Sequence, residues 1–470
     1  MLFQSFKRSA QIFSAFILIG GAQACLDQPT ISQALVGESA FYVSVSNLLQ
    51  SRSQTSNSSK QTVNLSLEKV ASFPGTFESF TPDGQSLVTY EYDTEGGQTR
   101  IFDIDGTELA SFTNTKITFA PNGQIMTLAS PEEQQSSSNS DSDEDVEYTT
   151  RLMTSDGTDI MSFRGGWPQF VFNEPRIIIH NQVEDISHLY NFEGEEVTTL
   201  KGVFLGFTLG PQDLVTYSNT EAKYYLHDFD GTELASFRTS TAFPGNNFIP
   251  NGLQGWQPLP DGQRVFVSEG NQTRLFDRAG VEYGTYAGYG IGLSPDEQAI
   301  ATYFAEENVS RLVNFEGEEL ASYQGFVMAF TPDGQQVITS SKGETYVYDL
   351  DGTELALLPG NFRQLMPDEG KIIATSPDGE TTILHTLDGS ETILYRGGAP
   401  QLLAKQEVLV TGSLFEQDTY QPQTYFYSIE GAELAVMPGT LGGISPDGEM
   451  IAVYSSEDSR TDIYRVSVRN

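Results

Sequence analysis

Asp-x-Asp-Gly occurs at Asp103, Asp228 and Asp349, and two carboxylates on one tight turn are part of what a hard cation such as calcium requires. A calcium loop spreads its oxygen ligands over about twelve positions and ends on a bidentate Glu. Here the chain runs from the turn straight into an apolar segment, as in Glu108-Leu109-Ala110-Ser111-Phe112. These turns therefore read as structural. The four histidines, His180, His188, His227 and His385, show no metal-ligand spacing such as His-x-x-x-His. No Gly-x-Ser-x-Gly elbow, P-loop or dinucleotide fingerprint occurs in the chain. The expectation is a chain with no catalytic residue, no metal site and no cofactor. What remains is aromatic: the only tryptophans, Trp167 and Trp256, and the similarly placed Phe204 and Phe326, each near the start of a short apolar run. Tryptophan is enriched at binding hot spots, so these four are the candidate binding residues, with burial between neighbouring elements as the other reading.

The elements that hold these residues are set by repetition. Asp-Gly-Thr-Glu-Leu-Ala-Ser-Phe and its variants recur around Gly106, Gly157, Gly194, Gly231, Gly280, Gly317, Gly352, Gly389 and Gly431. Thr/Ser-Pro-Asp-Gly and its variants fall between them, at Asp83, Asn122, Asp261, Asp296, Asp333, Asp368 and Asp447. One unit occupies about 40 residues, a period typical of repeat architectures. Each unit reads as four runs rich in Val, Ile, Tyr, Phe and Thr, punctuated by Gly, Pro, Asp and Asn, which predicts four strands and tight turns. Asp-Gly suits such turns because Gly adopts positive φ freely and Asp tolerates it.

The unit starting at Glu319 runs ELASY, FVMAF, a Pro-Asp-Gly turn, QQVITS and ETYVYDLDG. In this order of runs it resembles the WD40 repeat and the WD40-like repeat of the TolB type, over roughly 400 residues, ten units at about 40 each. The resemblance implies an all-β fold: a β-propeller of about ten four-stranded antiparallel blades, with two smaller propellers as the alternative and a candidate seam from Thr239 to Gly255. The chain departs from WD40 in having no Gly-His pair and in replacing Trp-Asp by Phe102-Asp103, Phe276-Asp277, Tyr348-Asp349 or His227-Asp228. His227 and His385 stand where the family has its Trp, and Asp103, Asp228 and Asp349 where it has its Asp. The ends complement each other, because Leu67–Phe73 is an outer strand lacking a third strand and Thr461–Val468 is a third strand lacking an outer one. Pairing them hides both edges.

Residues 1–24 read as an export signal, with Lys7 and Arg8 ahead of an apolar core and an Ala-x-Ala site at Ala22–Ala24. The next residue is Cys25, the only cysteine, so no internal disulfide is available. Its position resembles the lipobox of bacterial lipoproteins, which implies a diacylated membrane anchor; ordinary cleavage that leaves a plain N-terminal thiol is the alternative. Residues 25–66 then read as a flexible tether and 67–470 as the repeats, with an acidic, Ser-rich insertion at 131–147 expected to be disordered.

With 63 acidic against 25 basic residues and a net charge of −38, the chain excludes nucleic-acid binding through clustered Lys and Arg. Contact with a membrane is expected only through Cys25. The resulting expectation is a non-enzymatic, exported protein of the periplasm or cell envelope that serves as a platform for protein partners, basic ones included. The alternatives are a sensor of a small ligand, glycan or cation in the propeller channel, and an enzyme at the channel mouth. One prediction concerns the turns alone: Gly352→Val lowers thermal stability, since a β-branched residue resists positive φ, and an unchanged melting temperature would contradict the turn assignment.

Overall fold

A computed structural model describes residues 64–469 apart from 93–96, 114–115, 121–124, 132–147, 155–156, 165, 172–174, 182–183, 208–212, 239–255, 260–263, 270, 367–369, 404–407 and 414–421. The predicted export signal, Cys25, nearly all of the tether and the acidic insertion after Pro131 lie outside the described residues.

The described residues contain strands and turns and no helix, and they form ten four-stranded antiparallel sheets. Nine are made of four consecutive strands each, as in Phe326–Phe330, Gln336–Ser341, Glu344–Asp349 and Glu354–Pro359 of the seventh sheet. Burial explains why each run takes its place. The second strand of the third sheet, Arg176–Asn181, buries Ile177, Ile178, Ile179 and His180 in succession, because a sheet covers each of its faces. The fourth strand, such as Glu354–Pro359, buries only Leu358 fully and lies at the outer edge. This is the strand arrangement of a β-propeller.

The Thr/Ser-Pro-Asp-Gly turns are held by more than their Pro and Gly. Thr331 donates its hydroxyl to Asp333 (2.6 Å) and accepts the Gln336 amide (3.0 Å), and Asp333 accepts the Gln335 amide (3.1 Å). Ser294 with Asp296 and Ser445 with Asp447 repeat the pattern.

A second device joins one sheet to the next. At seven junctions among the described residues the chain leaves the outer strand through a glycine in the left-handed region: Gly75, Gly202, Gly288, Gly325, Gly360, Gly397 and Gly439. At Gly325 an added Cβ would come within 2.6 Å of the Ser340 carbonyl oxygen, so both conformation and space demand glycine. Its amide donates to Asn308 O at 2.8 Å, and its carbonyl accepts the buried Ser310 hydroxyl at 2.7 Å. The same hydroxyl takes the Val327 amide that opens the next sheet, at 3.1 Å. Equivalent hydroxyl–glycine bonds run from Ser187, Thr273, Thr345, Thr382 and Thr424 to Gly202, Gly288, Gly360, Gly397 and Gly439.

The chain ends meet through this device as well. Asn64–Pro74 pairs antiparallel with Arg460–Arg469, completing the tenth sheet, and the buried Thr461 donates to Gly75 O at 2.8 Å. The first strand begins at Asn64 rather than Leu67, because Leu65 continues the alternation that packs Leu67 against the core shared by the ninth and tenth sheets. Each sheet shares an apolar cluster with the next, and Phe73, Ala452 and Ile463 of the tenth pack with Phe80, Leu87 and Phe102 of the first. Across the stretch 239–255, Tyr217, Leu226 and Phe237 of the fourth sheet share a core with Val265, Val267 and Phe276 of the fifth. Asp213 and Arg278 form an ion pair across the same junction. Contacts of this kind join the sheets in a cycle, with no break at the candidate seam.

Thr461→Val keeps the side-chain shape but leaves the Gly75 carbonyl without its donor, which costs about 1–3 kcal/mol of unfolding free energy. Thr461→Ser retains the donor and should cost less. Urea denaturation of the two variants measures the difference, and a Val variant as stable as the parent would contradict the role of this bond.

Candidate functional site

The Asp-x-Asp-Gly turns are satisfied by their own backbone. Asp228 Oδ1 accepts the Asp230 and Thr232 amides at 3.0 and 2.8 Å, and Asp349 Oδ1 accepts the Thr353 amide at 2.8 Å. These carboxylates cap hairpins, and no group of three or more His, Cys, Asp or Glu among the described residues is placed to hold a metal ion.

His227 and His385 occupy core positions on third strands. His385 is buried between Pro359 O (2.9 Å from Nε2) and Thr392 Oγ1 (3.0 Å from Nδ1). A neutral imidazole here donates from Nε2, since the carbonyl can only accept, and Nδ1 is left to accept from the threonine hydroxyl. Burial lowers the pKa of His180, His227 and His385, so all three favour the neutral form.

Phe204 and Phe326 follow the second of the two readings, burial between neighbouring elements. Both are buried, at 4% and 8% exposure, and belong to cores shared by adjacent sheets. They follow a junction glycine by one or two residues, and that short return points their rings into the joint: Phe326 meets Tyr303 edge-on with ring centroids 5.1 Å apart. They are packing residues, not surface contacts. The backbones of Trp167 and Trp256 lie in first strands, Gly166–Phe170 and Trp256–Pro258, while their side chains, like Cys25, lie outside the described residues. The four positions thus share a place in the repeat, and the two whose side chains are described are buried.

A shallow depression lies beside Arg264, Asp277, Arg278 and Tyr283. Its two guanidiniums are already engaged, Arg264 with Glu297 at 3.0 Å and Arg278 with Asp213, so it presents no unpaired cation to an anionic ligand.

The chemically distinctive surface is the outer rim. Most Glu-Leu-Ala-Ser-Phe strands turn their Ala and Phe inward and their Leu and Ser outward, which leaves Leu109, Ile160, Val197, Tyr283, Leu320 and Leu355 exposed, while Leu234 and Leu434 pack partly against the cores. Beside them stand acid–cation pairs bridging the third and fourth strands, Arg100–Glu108, Arg151–Asp159, Arg274–Glu282 and Arg311–Glu319, at 2.6 to 4.0 Å, and in the third sheet His188 Nδ1 lies 3.3 Å from Glu196. Two of these guanidiniums also cover rings, Arg274 over Phe276 at 4.6 Å and Arg311 over Phe304 at 4.1 Å. Sequence reasoning missed this rim because it weighed tryptophans and catalytic motifs. Its signal was the exposed side of the repeated word itself.

The chain is an all-β protein of the propeller class on its own sheet topology. No family model matches it, and no curated protein matches it. Among solved structures it is similar to a eukaryotic initiation factor (12% identity over 79% of this chain and 88% of that one, TM-score 0.43). It is also similar to a dihydro-heme d1 dehydrogenase, NirN (10% identity, 84% and 82% covered, TM-score 0.41). A β-propeller domain from Myceliophteria thermophila is a third (12% identity, 64% and 96% covered, TM-score 0.28). Likeness at this level assigns no activity.

The histidines generate a prediction. A base whose folded pKa lies below its unfolded value of about 6.5 gives stability that is fully present above that value and is lost as pH falls through it. Melting temperature should therefore decline below about pH 6.5. His385→Phe, which installs the residue found at Phe102 and Phe276, should lessen that decline; an identical pH profile would exclude His385 as a contributor.

Proposed function

We propose that this chain is a non-enzymatic interaction platform, exported and held at the bacterial cell envelope, whose rigid sheets present the outer rim to protein partners. The observation that carries the reading is the run of exposed apolar side chains on outer strands, among them Leu109, Ile160, Tyr283, Leu320 and Leu355, set between charged pairs on a frame whose junctions are hydrogen-bonded. Single exposed apolar residues are ordinary on any protein; their repetition at one register around the rim is not. Loops and edges held by a stiff scaffold lose little entropy on binding, which favours recognition by surface complementarity. The negative charge favours partners with basic surfaces and speeds their encounter.

Location rests on the amino-terminal sequence: the export signal over residues 1–24, then Cys25 in lipobox-like register as the lipid anchor. The resemblance to TolB-type repeats supplies a precedent for a propeller in envelope complexes. The test is affinity capture of the tagged full-length protein from crosslinked envelope membranes, beside a Cys25→Ser control. The expected result is one dominant co-purifying protein, reduced or lost in the control. With no partner captured, the platform reading fails, and a thermal-shift screen with calcium and sugars becomes the test of a ligand sensor.

A further inference from the structure

Each outer strand can be compared with nine others at the same register, so the repeats serve as internal controls. In the first, second, fifth and sixth sheets a third-strand arginine stands opposite a hydroxyl on the outer strand: Arg100 faces Ser111, Arg151 faces Ser162, Arg274 faces Thr285 and Arg311 faces Ser322, and in the third sheet His188 faces Thr199. The seventh, eighth and ninth sheets break the pattern together. Tyr346 faces Leu357, Ile383 faces Leu394 and Tyr425 faces Val436. The cation is gone, and the hydroxyl has become an aliphatic side chain that is 49%, 67% and 43% exposed, respectively.

The acids at the start of these strands remain. Glu354, Glu391 and Glu433 are exposed; none forms a close ion pair among the described residues, and only Glu433 has a guanidinium within electrostatic reach, that of Arg396 at the end of the preceding outer strand. The three sheets are consecutive and share cores with one another, so the substitutions fall on the outer strands of neighbouring sheets. Neither change helps the folded chain. Exposed aliphatic carbons gain nothing from water, and a carboxylate without its cation in a protein of charge −38 adds repulsion.

We propose that the rim of the seventh to ninth sheets, with Leu357, Leu394 and Val436 flanked by Glu354, Glu391 and Glu433, docks a segment of another protein that presents aliphatic side chains flanked by lysine or arginine. This rests on the reading of the chain as an interaction platform and specifies its surface and the chemistry of its partner. The aliphatic groups supply a strip that excludes water, and the partner's cations take the place of the third-strand cations that these sheets lack. Charge complementarity sets register and encounter rate, and burial of the strip sets residence time.

The probe is a fluorescent peptide of alternating Lys and Leu, titrated by anisotropy against the full-length protein, with a Lys/Ser peptide of equal charge as comparison. Leu357→Ser, Leu394→Ser and Val436→Ser together restore the hydroxyl that other sheets carry at this register, so the variant should fold. The expected result is binding of the Lys/Leu peptide that weakens by about tenfold or more in this triple variant. Glu354→Gln, Glu391→Gln and Glu433→Gln together should weaken it at low salt and flatten its salt dependence. A control with Tyr92 and Val281, exposed apolar residues outside the outer strands, changed to Ser should bind as the parent does.

Equal affinity for the Lys/Ser peptide, an unchanged Kd in the triple-Ser variant, or no binding overturns the proposal. Self-association in sedimentation that disappears in the triple-Ser variant overturns it too, by making a second copy the occupant. The platform is judged separately by the envelope capture: a partner retained by the triple-Ser variant leaves the platform standing on another surface and this strip refuted.

Discussion

Everything in this molecule hangs on how the chain leaves one sheet and enters the next. A sharp return from the outer edge to an inner strand leaves an amide and a carbonyl buried with no ladder partner, and an unpaired buried polar group costs about 1–3 kcal/mol. The protein meets this with a left-handed glycine and one hydroxyl. The glycine tolerates the return, and the Ser or Thr on the third strand donates to its carbonyl while, at Ser187, Thr273 and Ser310, accepting the amide that opens the following strand. A hydroxyl is suited to this because it gives one hydrogen and has lone pairs to spare. Thr461 and Gly75 apply the same solution to residues 386 positions apart, so the chain ends close by the interaction that makes every other described joint.

A frame secured at its joints leaves its outer strands free to vary. Only the inward Ala and Phe of Glu-Leu-Ala-Ser-Phe are needed for packing, as Ala321 and Tyr323 show in the sixth sheet. The outward positions answer to solvent and partners. In four sheets they carry arginine–carboxylate pairs that satisfy themselves, and in three consecutive ones they carry exposed carbon beside carboxylates that lack a third-strand cation. The scaffold and its recognition surface are thus encoded in alternate residues of the same short strand, the period-two logic of a half-buried sheet.

The repeated architecture was legible in the sequence because its turn chemistry is local: Pro-Asp-Gly and Asp-Gly mark the hairpins wherever they occur, and the complementary end strands foretold the pairing of Asn64–Pro74 with Arg460–Arg469. The structural role of the Asp-x-Asp-Gly carboxylates was legible for the same reason. The hydroxyl–glycine bond was less visible, since its partners stand fifteen residues apart and become neighbours only when the sheet forms. Phe204 and Phe326 were open to two readings, binding or burial between elements, and both are buried. Their position after the junction is clear from sequence, but the direction of the ring depends on the return that the glycine makes. The rim of the seventh to ninth sheets stood in plain view as ELALL and ELAVM beside ELASF. Its meaning needed the cross-strand partners, which sequence order conceals.

The central claim is that the first strand of the chain is an integral part of the last sheet, held by Thr461. Hydrogen exchange read by mass spectrometry tests it directly, because an amide exchanges only when its local structure opens. The account predicts that amides of residues 64–74 exchange as slowly as those of interior third strands such as Glu344–Asp349, and that Thr461→Val speeds exchange there and in the first sheet together. Exchange of 64–74 at the rate of unstructured chain in the parent protein would contradict it.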